Sequence, residues 1–317
     1  MKIDTSFARA ALVLPKEFKQ ASFYIIGAGG TGSFAALSVA RLCFELRERG
    51  KAVELTIIDP DRVETNNIPR SNFCQAEIGR FKAQTLAERI SGAWSLEVGY
   101  ACESFDYDKH IKPNASGYKQ TTILVGCVDN HLARRELHRA LQKCEPYFSA
   151  EAPRAWWVDG GNGKFSGQVL IGSTVKIGVT EDYFATPTIC RRLPAPSVFH
   201  PELLEPEKAV PLPRDSGAAR SAASCPELVR LGEQSLNINS RVAIEIGEIL
   251  SALLITNSLK RFAAYFDLES GTSRSLYCTP ETIEKALIEA ARNVKAAKPK
   301  KRKKSNARTR ATPFYAG

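Results

Sequence analysis

The chain has 317 residues, 44% of them apolar, and carries 44 Lys and Arg against 34 Asp and Glu. That length is enough for one large or two ordinary domains, and no apolar run approaches the ~18 residues of a membrane span. The eight cysteines are scattered without a C-x-x-C pair, which argues against a disulfide framework or a four-cysteine zinc site. The opening stretch MKIDTSFARAALVLPKEFKQ is charged throughout and does not read as a secretory signal, so the expected compartment is the cytoplasm.

From Ser22 to Ala150, short apolar runs alternate with amphipathic ones. Ser22–Ile26 reads as a buried strand running into a glycine cluster, with a helix from Thr31 to about Arg49. Val53–Ile58 is a second strand, ending at Asp59. A helix over Lys82–Ile90, a strand near Leu96–Cys102, a strand over Thr122–Val128 and a helix over His131–Lys143 follow. Continuous apolar strands alternating with helices predict an α/β fold, a doubly wound, Rossmann-like and mainly parallel sheet.

The second half is mixed. Trp156–Val158 and Gln168–Gly172 read as strands around the turn GGNGKFSG. Residues 181–224 are rich in proline and read as an irregular crossover on the surface. Helical periodicity returns over Pro226–Gln234 and Ile238–Ser258, Ala263–Leu268 looks like a strand, and Thr279 caps a last helix from Pro280 to about Val294. The expected organisation is one domain over 1–294, with a nucleotide-binding half at about 20–150, the crossover, and C-terminal helices and a strand over 225–294. A basic tail follows at 295–317. Nine of the basic residues lie between Lys295 and Arg310; without them 35 remain against 34 acids, so the excess charge belongs to the tail. The tail is expected to be disordered, and either solubilising or a weak, salt-sensitive contact to nucleic acid.

Gly27-Ala28-Gly29-Gly30-Thr31-Gly32 fits G-x-G-x-x-G between a strand and a helix. Such glycines let the backbone turn tightly and approach a pyrophosphate at the helix N-terminus, although a tight strand–helix turn has the same composition. Asp59 closes the second strand, where a carboxylate accepts ribose hydroxyls. Asp61, Asn67, Arg70 and Lys82 then supply a series of polar and cationic groups. A hydride-transfer site has no use for that series, whereas Arg and Lys neutralise charge on a departing pyrophosphate. Asp129 and Asn130 end the Thr122–Val128 strand, at the carboxyl edge where ligands of such sheets bind. Asp129 reads as a Mg2+ ligand beside phosphates, or as the cap of the helix near His131.

GAGGTG, D-P-D-x-V, N-N-I-P-R, G-R-F-K and the V-D-N turn, in this order, resemble the superfamily of ThiF, MoeB and the ubiquitin-activating E1 enzymes. The resemblance implies an ATP-dependent adenylyltransferase that activates the C-terminal carboxylate of a small ubiquitin-like (β-grasp) protein. It implies that Asp59 holds the ribose, that Asn67, Arg70 and Lys82 hold phosphates, and that Asp129 serves Mg·ATP. A homodimer is also implied. Ser71 stands where the superfamily usually has Gln, the zinc cysteine pairs of MoeB-like members are absent, and Arg9 is the one candidate for an arginine that relatives reach into a partner's site. WWVDGGNGKFSGQVLIGS, PSVFHPELLEP, the Cys225–Asn239 stretch and AYFDLESGTSRSLYCTP resemble the narrower ThiF-type proteins of PRTRC plasmid systems.

A thioester step after the adenylate needs an exposed, partly ionised cysteine. Cys225, before Pro226 at an apparent helix start, is the leading candidate and Cys190 the second, while Cys43, Cys127 and Cys144 read as packing residues. Gly160–Gly163 could flank a partner's extended tail or form a tight hairpin. The four histidines have no metal-ligand spacing, and Trp156–Trp157 reads as core plus a strand-edge contact. The competing functions are an NAD-binding Rossmann oxidoreductase and a non-catalytic nucleotide-binding scaffold.

Overall fold

A computed structural model describes residues 6–111, 119–146, 152–178, 183–206 and 235–297. Each apolar run read from the sequence as a parallel strand is one. These are β2 (Gln20–Ile26), β3 (Ala52–Ile58), β4 (Val98–Ala101), β5 (Gln120–Gly126) and β6 (Ala155–Asn162), preceded by the short α1 (Ser6–Arg9) and β1 (Leu12–Val13). Between them run α2 (Gly30–Glu48), α3 (Lys82–Trp94), α4 (Tyr107–His110) and α5 (His131–Cys144). The five strands pair in parallel in the order β6-β5-β2-β3-β4, and Phe23, Ile25, Ile57, Ile123 and Val125 are fully or almost fully buried. Helices on both faces explain why β2 and β5 are buried almost end to end, whereas β3 exposes Ala52 and Glu54 in its first half.

Beyond β6 the sheet turns antiparallel. β7 (Ser166–Gly172), β10 (Arg261–Asp267) and β11 (Ser273–Tyr277) complete eight strands in the order β11-β10-β7-β6-β5-β2-β3-β4. The long helix α7 (Ile238–Leu254) lies against α2, β6 and β7, burying Val242, Ile246, Ile249 and Leu253. A last helix, α8, spans Pro280–Ala297. Trp156 and Trp157 are both wholly buried on an interior strand, so the expected strand-edge contact is corrected to core on both sides of the sheet.

The described part of the proline-rich region is also more regular than its composition suggests. β8 (Phe184–Thr186) and β9 (Ile189–Cys190) form a small sheet with β1, and α6 (Pro196–Phe199) leads into a 3-10 turn at Pro201–Leu204. Pro196 and Pro201 sit in first turns, where a missing N–H costs nothing. Residues 192–199 are buried and pack into the body, while 185–188 lie exposed on its surface. Pro226–Gln234, Cys225 and the basic tail beyond residue 297 lie outside the described residues.

Candidate functional site

The glycine loop connects β2 to α2 at the carboxyl edge of the sheet. Gly27 has φ +89°, its N–H donates to the Ile58 carbonyl at 2.9 Å, and a β-carbon there would stand 2.6 Å from the Cys127 carbonyl oxygen. The loop is thus wedged between the ends of β3 and β5. A β-carbon on Gly32 would collide with the Gly27 carbonyl, and one on Gly30 would lie 2.5 Å from the Asn239 amide nitrogen. At Gly29 nothing stands within 4 Å. Three of the four motif glycines therefore answer to contacts inside the chain, and Gly29 presents the open face at the start of a 19-residue helix.

Asp59, 5% exposed, caps this loop. Its Oδ2 accepts the Ala28 N–H at 2.6 Å and its Oδ1 the Asp61 N–H at 2.8 Å. Burial pushes its carboxyl above the ordinary carboxylate range, opposed by the Ala28 N–H and by Lys82. A carboxylate has about four lone-pair sites, so two backbone bonds leave acceptor capacity for a ribose diol. Lys82 is buried at the start of α3; its Nζ meets the exposed Asp61 carboxylate at 2.9 Å, and its backbone N–H donates to the Asp61 carbonyl.

Asn67 and Arg70 belong to a 3-10 turn, Thr65–Arg70. The Asn67 side chain accepts the Glu64 N–H at 3.0 Å and donates to Asn66 Oδ1, so its amide shapes the turn. Ser71 is buried and donates its hydroxyl to the Asn67 carbonyl at 2.6 Å. Arg70 is partly exposed, and its carbonyl accepts from Asn239 Nδ2 at 2.9 Å. Asp129 is exposed just past β5, beside the Cys127–Val128 backbone that Gly27 abuts. The cap of α5 is Asn130, whose Oδ1 accepts the Ala133 N–H at 2.9 Å, so capping falls to Asn130 and not to Asp129. Among the described residues no three His, Cys, Asp or Glu side chains converge as a metal-binding group. A lone carboxylate fits Mg2+ that keeps waters and takes phosphate oxygens as its other ligands.

Two features carried no sequence signal. Asn239, at the start of α7, reaches the glycine loop from the far half of the chain. Arg134 on α5 pairs with Asp159 on β6 at 3.3 Å, with Asp159 fully buried. Burial raises the Asp159 carboxyl while Arg134 opposes the shift. The glycine-rich hairpin is tightly packed at its base and turned at its tip. A β-carbon on Gly160 would lie 2.9 Å from Ile246 and 3.0 Å from Val242, and the Gly163 N–H donates to the Ser166 carbonyl. Gly160 thus faces α7 in the core, and Gly163 closes a tight turn.

Cys190 is wholly buried and its thiol donates to the Arg192 carbonyl at 3.0 Å, so it lacks the exposure expected of a thioester cysteine. Cys43 is buried with its thiol pushed up to about 12, and burial likewise raises Cys127 and Cys144, in keeping with packing roles. Cys74, in the loop after Arg70, is exposed.

Fold and site together define a doubly wound α/β protein with a glycine loop, a capped acidic strand end and a buried lysine on one crevice. The chain belongs to the ThiF family, whose match over residues 6–198 takes in every candidate residue from Gly27 to Asn130. Similar solved structures include PaaA, at 18% identity and a TM-score of 0.48, covering 82% of this chain and 65% of that one. Escherichia coli MccB is similar at 14% identity and a TM-score of 0.49, covering 82% and 63%. Its structure with ATP matches at 15% identity and 0.47, covering 83% and 65%. The chain thus spans less than two thirds of the length of these structures.

Proposed function

We propose that this protein is an ATP-dependent adenylyltransferase that activates the C-terminal carboxylate of a ubiquitin-like, β-grasp protein. The observation that carries the reading is the joining of the open Gly29 turn, the fixed Asp59 carboxylate and the buried Lys82 through direct hydrogen bonds and an ion pair at the carboxyl edge of the sheet. Asp59 holds the ribose, the loop and the α2 N-terminus receive phosphate oxygens, and Lys82 exchanges Asp61 for phosphate. Arg70 and Asn67 border the phosphates from the 3-10 turn. Asp129 would hold Mg2+, which would supply neutralisation of phosphate charge.

In the reaction a carboxylate oxygen of the partner attacks the α-phosphorus. The bond from that phosphorus to the bridging oxygen breaks, the electron pair leaves with pyrophosphate, and an acyl adenylate remains. No proton moves in this step, which suits a site whose contributions are position and charge. The reading includes a homodimer, which the family resemblance alone implies, a location in the cytoplasm, and kinship with PRTRC-system proteins, which the resembling sequence segments support. It ends at the adenylate: Cys225 lies outside the described residues, and Cys225→Ala would test a later thioester.

Calorimetry with ATP and with NAD, each with and without Mg2+, on the wild type and Asp129→Ala, tests the reading. The expected result is ATP binding that Mg2+ strengthens and Asp129→Ala weakens, with no heat from NAD. NAD binding indifferent to Asp129 would overturn it in favour of the oxidoreductase.

A further inference from the structure

We infer that Asn239 is a positioning residue of the nucleotide site, a buried side chain through which the second half of the chain sets the geometry of the glycine loop and of Arg70. This rests on the nucleotide-binding part of the proposed function. Asn239 is 2% exposed at the start of α7 and uses both ends of its amide. Its Oδ1 accepts the Thr31 hydroxyl at 3.0 Å and the Asn162 amide at 2.6 Å, while its Nδ2 donates to the Arg70 carbonyl at 2.9 Å. Three segments distant in sequence therefore meet on one group: the first turn of α2, the end of β6, and the 3-10 turn that carries Asn67 and Arg70.

The contact with the loop is reciprocal. A β-carbon on Gly30 would lie within 2.5–2.8 Å of the Asn239 amide nitrogen, carbon and oxygen, so glycine is required at 30 by Asn239 rather than by space for a ligand. The opening at Gly29 and the position of Arg70 are then fixed by the same amide. Because α7 is anchored by Val242, Ile246 and Ile249 in the core, the amide is held by rigid packing. Misplacing binding groups by a fraction of an ångström to one ångström is expensive at such sites.

The test is Mg·ATP binding to the full chain, by calorimetry well below the melting temperature, for the wild type, Asn239→Ala, Gly30→Ala, the double variant and Leu250→Ala. Leu250→Ala empties a fully buried site further along α7 and controls for lost stability. Asn239→Ala is expected to bind on the order of ten- to a hundredfold more weakly, and Leu250→Ala as the wild type does. Gly30→Ala should also bind weakly, with the double variant no weaker than Asn239→Ala, since removing the amide makes room for the methyl group. Should Asn239→Ala fail to fold, Asn239→Leu keeps the volume and removes the same three bonds. Wild-type affinity in the Asn239 variant overturns the inference, as does a double variant whose losses multiply. A wild type that does not bind ATP overturns the nucleotide reading itself and the inference with it, and is told apart by appearing in the unmodified chain.

Discussion

The carboxylate of Asp59 holds the backbone N–H of Ala28 at 2.6 Å, so the end of β3 and the turn between β2 and α2 form one unit before any ligand arrives. The same carboxylate accepts the Asp61 N–H, and Asp61 in turn pairs with Lys82. Removing it leaves two backbone donors without their acceptor, one of them on the fully buried Ala28. Asp59→Ala is therefore expected to lower unfolding stability by about 1–3 kcal/mol and to weaken ATP binding as well. Urea unfolding of both proteins measures the first effect, and an unchanged midpoint would show that the cap contributes nothing.

Arg134 and Asp159 make the second prediction. The arginine side chain is 11% exposed and the carboxylate not at all. Deleting the cation strands a buried charge, so Arg134→Ala should cost about 3–5 kcal/mol. The sign with pH follows from Asp159, whose carboxyl is raised by burial and held down by Arg134. Without the arginine the native state binds a proton at Asp159 more firmly than the unfolded chain does, so the deficit shrinks on acidification. Denaturation at about pH 8 and about pH 5.5 should show the larger loss at the higher pH. A deficit independent of pH would mean that Asp159 is not left charged.

The parallel half was legible because strands buried on both faces are close to continuously apolar, as SFYII and TILVGCV are, and because VELTII, interrupted by Glu54 and Thr56, still ends in the buried Ile57–Ile58 pair. β11 escaped notice because SRSLY is half-exposed at the sheet edge and has neither a long apolar run nor a clean alternation. The segment around Pro194–Pro201 hid its order because its elements are only two to four residues long. At the site, Asp59 and Lys82 were legible from their places after β3 and at the start of α3. Asn239 was not, since it touches Thr31 across 208 residues and only the packing of α7 brings them together. Nor does composition reveal that Gly30 is a glycine for Asn239's sake while Gly29 faces open space.

His138 supplies a pH dependence of its own. It sits on α5 with Nδ1 at 2.8 Å from the Ser197 hydroxyl of α6, and burial holds its pKa below the ordinary 6.5. The unfolded chain therefore takes up this proton first as pH falls. The stabilisation is complete above 6.5 and is lost as pH falls toward the lower folded value. His138→Gln should reduce the loss of melting temperature between about pH 7.5 and pH 5. An identical slope in wild type and variant would place the acid sensitivity elsewhere.

The cysteines can be ranked by access. Cys74 is exposed in the loop that follows Arg70, whereas Cys43, Cys190 and Cys278 are wholly buried. The Cys190 thiol donates to Arg192, and Cys278 is raised by its hydrogen bond with Cys190 and by burial. A thiolate must be both formed and reached to react. Brief alkylation of the native protein, followed by peptide mapping, should therefore modify Cys74 and spare Cys43, Cys190 and Cys278 until denaturant is added. Prior Mg·ATP should slow the labelling of Cys74 if the Arg70 loop tightens on the nucleotide. Rapid native labelling of Cys190 would show that β9 opens from β1, and would return that residue to consideration as an acyl acceptor.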